Sequence, residues 1–184
     1  KRTPEGIELR VHPTLIPESR LIANVNGVMN AVLVKGDAVG ATLYYGAGAG
    51  SEPTGSSVIA DLVDVTRLHT ADPEHRVPHL AFQPDSLADI PMLPISAVRT
   101  RYYLRLIAQD RTGVLADITR ILANHDISVD AMLQTEVDDT TKQAHIVIMT
   151  HVSQESNVDT AVGEIKALES ISGEVVKLRV EELG

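Results

Sequence analysis

Between Tyr102 and Glu181 the spacing of apolar residues switches between strand and helix period in the order β-α-β-β-α-β, and few folds accept that order. Tyr102–Ala108 reads as a strand, and Asp110-Arg111-Thr112-Gly113 leads into a helix whose Val114, Leu115, Ile118, Ile121 and Leu122 form one apolar stripe. Asn124-His125-Asp126 stops it. Ile127–Val137 and Ala144–His151 flank the polar turn Asp138-Asp139-Thr140-Thr141-Lys142, a hairpin pattern. Val158, Ala161, Val162, Ile165 and Leu168 mark a second helix, and Gly173 separates it from a last strand, Val175–Glu181. The expectation is an α+β unit of the ferredoxin-like split βαβ type.

Residues 1–70 carry a different pattern. Ile7, Leu9 and Val11 alternate with Glu8, Arg10 and His12, which predicts a strand over Ile7–Leu15. Val28–Val34 and Ala38–Tyr45 flank Lys35-Gly36-Asp37 and predict a hairpin. Val58, Ile59, Leu62, Val63 and Val65 then recur at helical spacing, and Pro53 suits the first turn, where a missing N–H costs nothing. Pro73, Pro78, Pro84, Pro91 and Pro94 make up five of the nine prolines, so 71–100 reads as an extended connector, packed down by Leu80, Phe82, Ile90, Leu93 and Ile95. Three regions follow: 1–70, 71–100 and 101–184.

Charge narrows the function. With 16 Lys+Arg against 25 Asp+Glu and a net charge of −9, the chain lacks the basic surface that nucleic acid or an anionic membrane requires. No apolar run approaches the roughly 20 residues that span a bilayer. The absence of cysteine excludes disulfides, thiol catalysis and cysteine-based zinc sites, and fits a cytoplasmic setting. The first residue is Lys1 inside a loop-like stretch, which suggests a fragment of a longer protein.

Two places suit an anion. Gly46-Ala47-Gly48-Ala49-Gly50 joins a strand to a helix, where backbone N–H groups and the helix dipole converge. It is not a dinucleotide fingerprint, because Ser51 and Pro53 occupy the places of the required last glycine. Taken alone, the motif favours a tight crossover. The turn Asp110–Gly113 has the same physics, and an amino acid would fit it, with its carboxylate at the helix end and its amine near Asp110 or Thr112; a plain helix cap is the simpler reading. His75 and His79 lie in the connector, His145 and His151 share a strand and His12 stands alone, so no metal is assigned. Asp61 with Asp64, and Asp138 with Asp139, read as solvated faces, and the serines near Gly50 lack a nucleophile-elbow context.

Longer runs carry a resemblance. Gly27-Val28-Met29-Asn30-Ala31-Val32, Gly36-Asp37-Ala38-Val39-Gly40, and Tyr45 to Gly50 with Pro53-Thr54, Ser57-Val58 and Asp61 resemble the end of the catalytic region of homoserine dehydrogenase. The segment from Tyr102, with Asp110-Arg111-Thr112-Gly113-Val114-Leu115, resembles an ACT domain, the small-ligand regulatory module attached to many such enzymes. The connector, with His79-Leu80 and Phe82-Gln83-Pro84-Asp85, is similar to their linker.

The resemblance implies an enzyme of threonine and methionine biosynthesis that interconverts L-homoserine and L-aspartate 4-semialdehyde with NADP or NAD. It also implies that the nucleotide-binding domain and the acid/base residues precede this stretch, so no catalytic residue is named and the chain alone is expected to be inactive. Gly50 is implied as a cofactor contact, with Pro53 and Thr54 beside it. For the regulatory module it implies side-by-side pairing in a homodimer and an effector, L-threonine, held by Asp110, Thr112, Gly113, Val114, Leu115, Asn124, Ile127 and Gln134. Thr112 stands where the family often has Pro before the glycine. The alternative expectation is a non-catalytic amino-acid-sensing or dimerisation module.

Overall fold

The computed structural model describes residues 1–70, 85, 87–137 and 140–183. The expectations placed on Pro73, His75, Pro78, His79, Leu80, Phe82, Gln83, Pro84, Asp138 and Asp139 lie outside the described residues. Contacts group the chain into two units, Lys1–Pro17 with Ile90–Gly184, and Glu18–Asp89. The sequence boundaries at 70 and 100 differ from this grouping because the first residues pair with the last region. Ile7 donates to Pro91 O at 2.9 Å and accepts from Leu93 N at 2.9 Å.

The first unit contains short strands β1 (Arg2–Thr3), β2 (Gly6–Ile7) and β3 (Thr14–Leu15) in place of the strand expected over Ile7–Leu15. Pro13 has no donor for a ladder, and the alternation is inverted: Leu9 and Val11 are exposed, while Glu8 is buried and Arg10 is nearly so, held by their ion pair. Instead β3 adds in parallel to the last strand, with Thr14 opposite Arg179 and Leu15 opposite Val180. Arg10 reinforces the attachment, 3.1 Å from a Glu8 carboxylate oxygen and 2.8 Å from one of Glu181.

The rest follows the expected β-α-β-β-α-β order. Within the first unit it comprises β6 (Arg99–Gln109), α2 (Val114–Asn124), β7 (Val129–Gln134), β8 (Gln143–Thr150), the two-residue β9 (Ser153–Gln154), α3 (Glu155–Lys166) and β10 (Ile171–Val180). The sheet order is β3-β10-β6-β8-β7, with β9 beside the start of β6. On β6 each even residue from Thr100 to Ala108 is buried, as are Ala144, Ile146, Ile148 and Thr150 on β8, and α2 covers this face with Val114, Ile118 and Leu122. The four-residue spacing on α2 places those three on one stripe. Val158, Ala161 and Ile165 of α3 complete the core. Gly173 lies within β10 rather than before it. There it takes φ +71°, a conformation suited to glycine, where the register to β6 shifts between Ser172 and Val176.

One buried charge sits in this core. Glu155, 1% exposed at the start of α3, accepts from Tyr102 Oη and Arg179 Nε at 2.7 Å and from Arg179 Nη2 at 2.6 Å. Lys177 donates to the same carboxylate, and also to Asp159. Burial alone would push the Glu155 carboxyl up, but the hydrogen bonds from Arg179, Lys177 and Tyr102 outweigh it and hold the group at about 2. Burial, and then the bond to Glu155, push the Tyr102 phenol up.

The second unit holds β4 (Met29–Gly36), β5 (Gly40–Ala47) and α1 (Ser51–Thr70). The two strands pair in continuous register from Met29 opposite Ala47 to Gly36 opposite Gly40. No residue of α1 is buried, and Val32, Tyr44, Ile59 and Leu62 are all more than half exposed. A two-stranded ladder without an apolar cover is marginal by itself.

The depressed Glu155 group gives a pH prediction. Its folded value lies below the ordinary 4.5, so its contribution is complete above that value and is lost as pH falls toward 2. The shift corresponds to about 3 kcal/mol. Urea unfolding of the first unit, followed from about pH 6 to about pH 2.5, should show that loss in the native chain and a flatter acid limb in Glu155→Gln.

Candidate ligand-binding site

The core face of the sheet narrows toward one end. Cross-strand partners on β6 and β8 run Leu104 with Ile148, Leu106 with Ile146, and then Ala108 with Ala144. At that last step two methyl groups replace two four-carbon side chains, and a hollow of about 170 Å³ opens beside them. It is lined by Ala108, Ala144, Ile146 and Val114 below, and by Gln109 to Gly113, Leu115 and Gln134 around its mouth.

The segment over the hollow is the turn from β6 into α2. Asp110 N donates to Lys142 O at 2.9 Å, which fixes the start of the turn. Gly113 is the residue before the helix and takes φ +96°, a region that costs a side-chain-bearing residue strain. Neither Asp110 nor Thr112 caps the helix, because no side-chain cap bond exists there. The Gly113 carbonyl accepts from Asp117 N at 2.9 Å, and Val114 N reaches Arg111 O at 3.4 Å. The amides of Gly113, Leu115 and Ala116 are therefore the uncapped donors of this helix start. Asp110 and Arg111, both exposed, place one carboxylate and one guanidinium at the rim. Gln134 ends β7 on the same face as Met132, opposite Ile146 on β8, and brings an amide to a row of apolar residues.

This geometry suits a small zwitterion. The helix dipole and free amides favour a carboxylate, Asp110 is an acceptor for an ammonium group, and the alanine floor accepts an apolar or short side chain. Of the residues singled out in the sequence, Asp110, Thr112, Gly113, Val114, Leu115 and Gln134 line the hollow. Asn124 and Ile127 do not. Asn124 is exposed at the far end of α2, and Ile127 is a core residue whose N–H donates to Leu122 O at 2.9 Å. At 1.5 Å per residue the helix separates the two ends by roughly 15 Å. Ala108, Gln109, Arg111, Ala144 and Ile146 also line the hollow and were missed. The signal for the alanines was present, since each continues the even-numbered buried row of its strand with a small residue.

The Gly-rich turn in the second unit is tighter. A Cβ on Gly48 would lie 2.7 Å from Asn30 Nδ2, the far end of an exposed side chain that can turn aside. Gly50 takes φ +125° and its carbonyl accepts from Thr54 N at 3.1 Å, the first bond of α1. Because Pro53 has no N–H, the amides of Gly50, Ser51 and Glu52 remain at this end, with the Glu52 carboxylate in the same turn. Among the described residues no group of three or more His, Asp or Glu could hold a metal ion, and no helix is long and apolar enough to cross a membrane.

Comparisons with known proteins divide along the same line. The family model for homoserine dehydrogenase matches residues 2–63, and that for the ACT domain matches residues 102–170. The homoserine dehydrogenase of Pseudomonas aeruginosa is 57% identical over all of this chain and 42% of its own length. That of Neisseria gonorrhoeae is 51% identical with the same coverage. A solved homoserine dehydrogenase from Thiobacillus denitrificans superposes with a TM-score of 0.89 at 68% identity, over 100% of this chain and 41% of that one. The chain thus spans about two fifths of the length of the relatives it matches.

Replacing Gly113 by alanine should strain the turn over the hollow. The expected result is a loss of about 1 kcal/mol or more of stability in urea unfolding, whereas Gly163→Ala in the interior of α3, where a Cβ meets open space, should be neutral or stabilising.

Proposed function

The chain belongs to the homoserine dehydrogenase family, and from that premise we propose that it supplies the regulatory module and the end of the catalytic region of an enzyme that interconverts L-homoserine and L-aspartate 4-semialdehyde. The hollow at the start of α2 is its effector site and L-threonine its effector. The observation that carries this reading is the uncapped helix start above an alanine-floored cavity with Gln134 at its mouth. Threonine presents a carboxylate to the amides of Gly113, Leu115 and Ala116, an ammonium group to Asp110, and a short branched side chain to the floor.

The assembly proposed is a homodimer paired along β7. That strand ends the sheet with no neighbour beyond it among the described residues, and an open edge is a template for a second copy. Pairing there brings the partner close to Gln134 and narrows the mouth of the site. Loss of solvent at that mouth strengthens the bonds to the ligand's charges.

The oxidation state of the substrate changes through a nicotinamide cofactor, NADP or NAD, which accepts or donates the hydride. The residues of this chain fit one contact to it. Gly50, Pro53 and Thr54 leave three amides at the start of α1, and the Glu52 carboxylate beside them favours a neutral part of the cofactor over its phosphates. Their role is to hold and orient; no proton or hydride is assigned to them. The uncovered apolar residues of the second unit, among them Val32, Tyr44, Ile59 and Leu62, fit a sheet and helix layer completed by the remainder of the enzyme. The setting is the cytoplasm.

Calorimetric titration of L-threonine into the 184-residue chain tests the reading, with L-lysine and L-serine as controls. Saturable binding selective for threonine is expected, and Gln134→Ala should weaken it by about tenfold, through loss of the bond to one of the ligand's charged groups that this reading assigns to the Gln134 amide at the mouth. No heat at millimolar ligand from folded protein would overturn the effector assignment. The chain by itself should show no homoserine-dependent reduction of NAD or NADP.

A further inference from the structure

The effector hollow owes its existence to two residues on neighbouring strands. Ala108 of β6 and Ala144 of β8 are register partners, both are buried at 1% and 2% exposure, and both line the cavity. The step before them on the same face is Leu106 with Ile146, so the alanine pair removes about six side-chain carbons from a row that is otherwise filled with large residues. A gap of that kind inside a close-packed face lowers stability, by an amount that grows with its volume. Small residues at both partners keep the space open under a turn that is itself anchored elsewhere, through Asp110 N to Lys142 O and Gln109 N to Ser170 O at 2.8 Å.

We propose that the Ala108–Ala144 pair is the size gate of the site: it admits amino acids with short, branched side chains and rejects longer ones. The inference rests on the reading of this hollow as an amino-acid site and adds which residues select among amino acids. The polar groups of the ligand stay at the rim with the amides of α2 and with Asp110, so only the side chain descends between the strands. There Ile146 and Val114, both buried, line the same space. Hydrophobic pockets separate ligands by about 10- to 200-fold per methylene when the extra group cannot be accommodated. Threonine and valine share one branched shape and differ by a hydroxyl, which an apolar floor discriminates by up to about a hundredfold, while leucine and methionine overfill it.

The test is a ladder of L-serine, L-threonine, L-valine, L-leucine and L-methionine titrated into the native chain, Ala144→Val, Ala108→Val and Ala144→Gly, with a thermal melt of each. In the native chain threonine and valine should both bind, within about a hundredfold of each other, and leucine and methionine at least about tenfold more weakly than either. Ala144→Val should keep or raise the melting temperature, because it fills a void with a residue suited to strands, yet weaken threonine at least about tenfold. Ala144→Gly should narrow the gap between threonine and methionine. If either valine variant folds and binds threonine within about twofold of the native chain, the gate is refuted while the effector site stands. If Ala144→Val does not fold, Ala108→Val and Ala144→Gly decide by the same criteria. If the native chain binds threonine but leucine and methionine equally well, the gate fails alone; if it binds no amino acid, the effector reading fails and takes the gate with it.

Discussion

Strand β6 is held between β8 and β10, and its row of even-numbered side chains from Thr100 to Ala108 sets both the core of the first unit and the place where that core ends. Burial of Tyr102, Leu104 and Leu106 against Ile118, Leu122 and Ile148 supplies the main favourable free energy, at about 1.5–3 kcal/mol for each fully buried large side chain. The same row then drops to Ala108. A single strand thus fixes the packed part of the unit and the hollow beside it, and the helix start over that hollow inherits its position from the strand that precedes it by four residues, Asp110 to Gly113.

The two ends of β6 do different work. At Gln109 the strand gives way to the turn, the uncapped amides and the cavity. At the other end Arg101 pairs with Asp130 and Glu182 and donates through Nε to Thr150 O at 3.3 Å, while Thr100 donates to Val180 O at 2.8 Å. The first residues of the chain attach to the sheet through β3 and Arg10 beside Val180 and Glu181, at this same end. The buried Glu155 with Tyr102, Lys177 and Arg179 ties α3 to β6 and β10 between them. The buried Glu155 carboxylate is matched by Arg179 and Lys177, as burial in a low-dielectric interior demands.

How much was legible in the sequence depended on the range of the interaction. The β-α-β-β-α-β order was read correctly because each element carries its own periodicity, from the alternation of β6 to the four-residue stripe of α2. The turn at Asp110–Gly113 was readable as a helix start, but not that Gly113 would stand at the cap without a side-chain partner. Short elements without periodicity escaped. Strand β3, two residues long, falls at the end of the strand expected over Ile7–Leu15, but its pairing with β10, more than 160 positions away, has no local signal. The buried role of Glu155 has no local signal, since its donors come from Tyr102, Lys177 and Arg179 on other elements. Asn124 and Ile127 came from the family resemblance and lie at the far end of α2 from the cavity. In the second unit β4, β5 and α1 match the expected hairpin and helix, yet the apolar faces that identified them are left uncovered.

The most direct test of the central claim, that the uncapped start of α2 and its alanine floor form an amino-acid site, is amide-resolved NMR of the chain titrated with L-threonine. The account predicts saturating shifts at Gly113, Leu115 and Ala116, with smaller ones at Ala108, Gln134 and Ala144, and an unchanged Asn124. Shifts centred instead on Gly50 to Thr54, or none at saturating ligand, would contradict it.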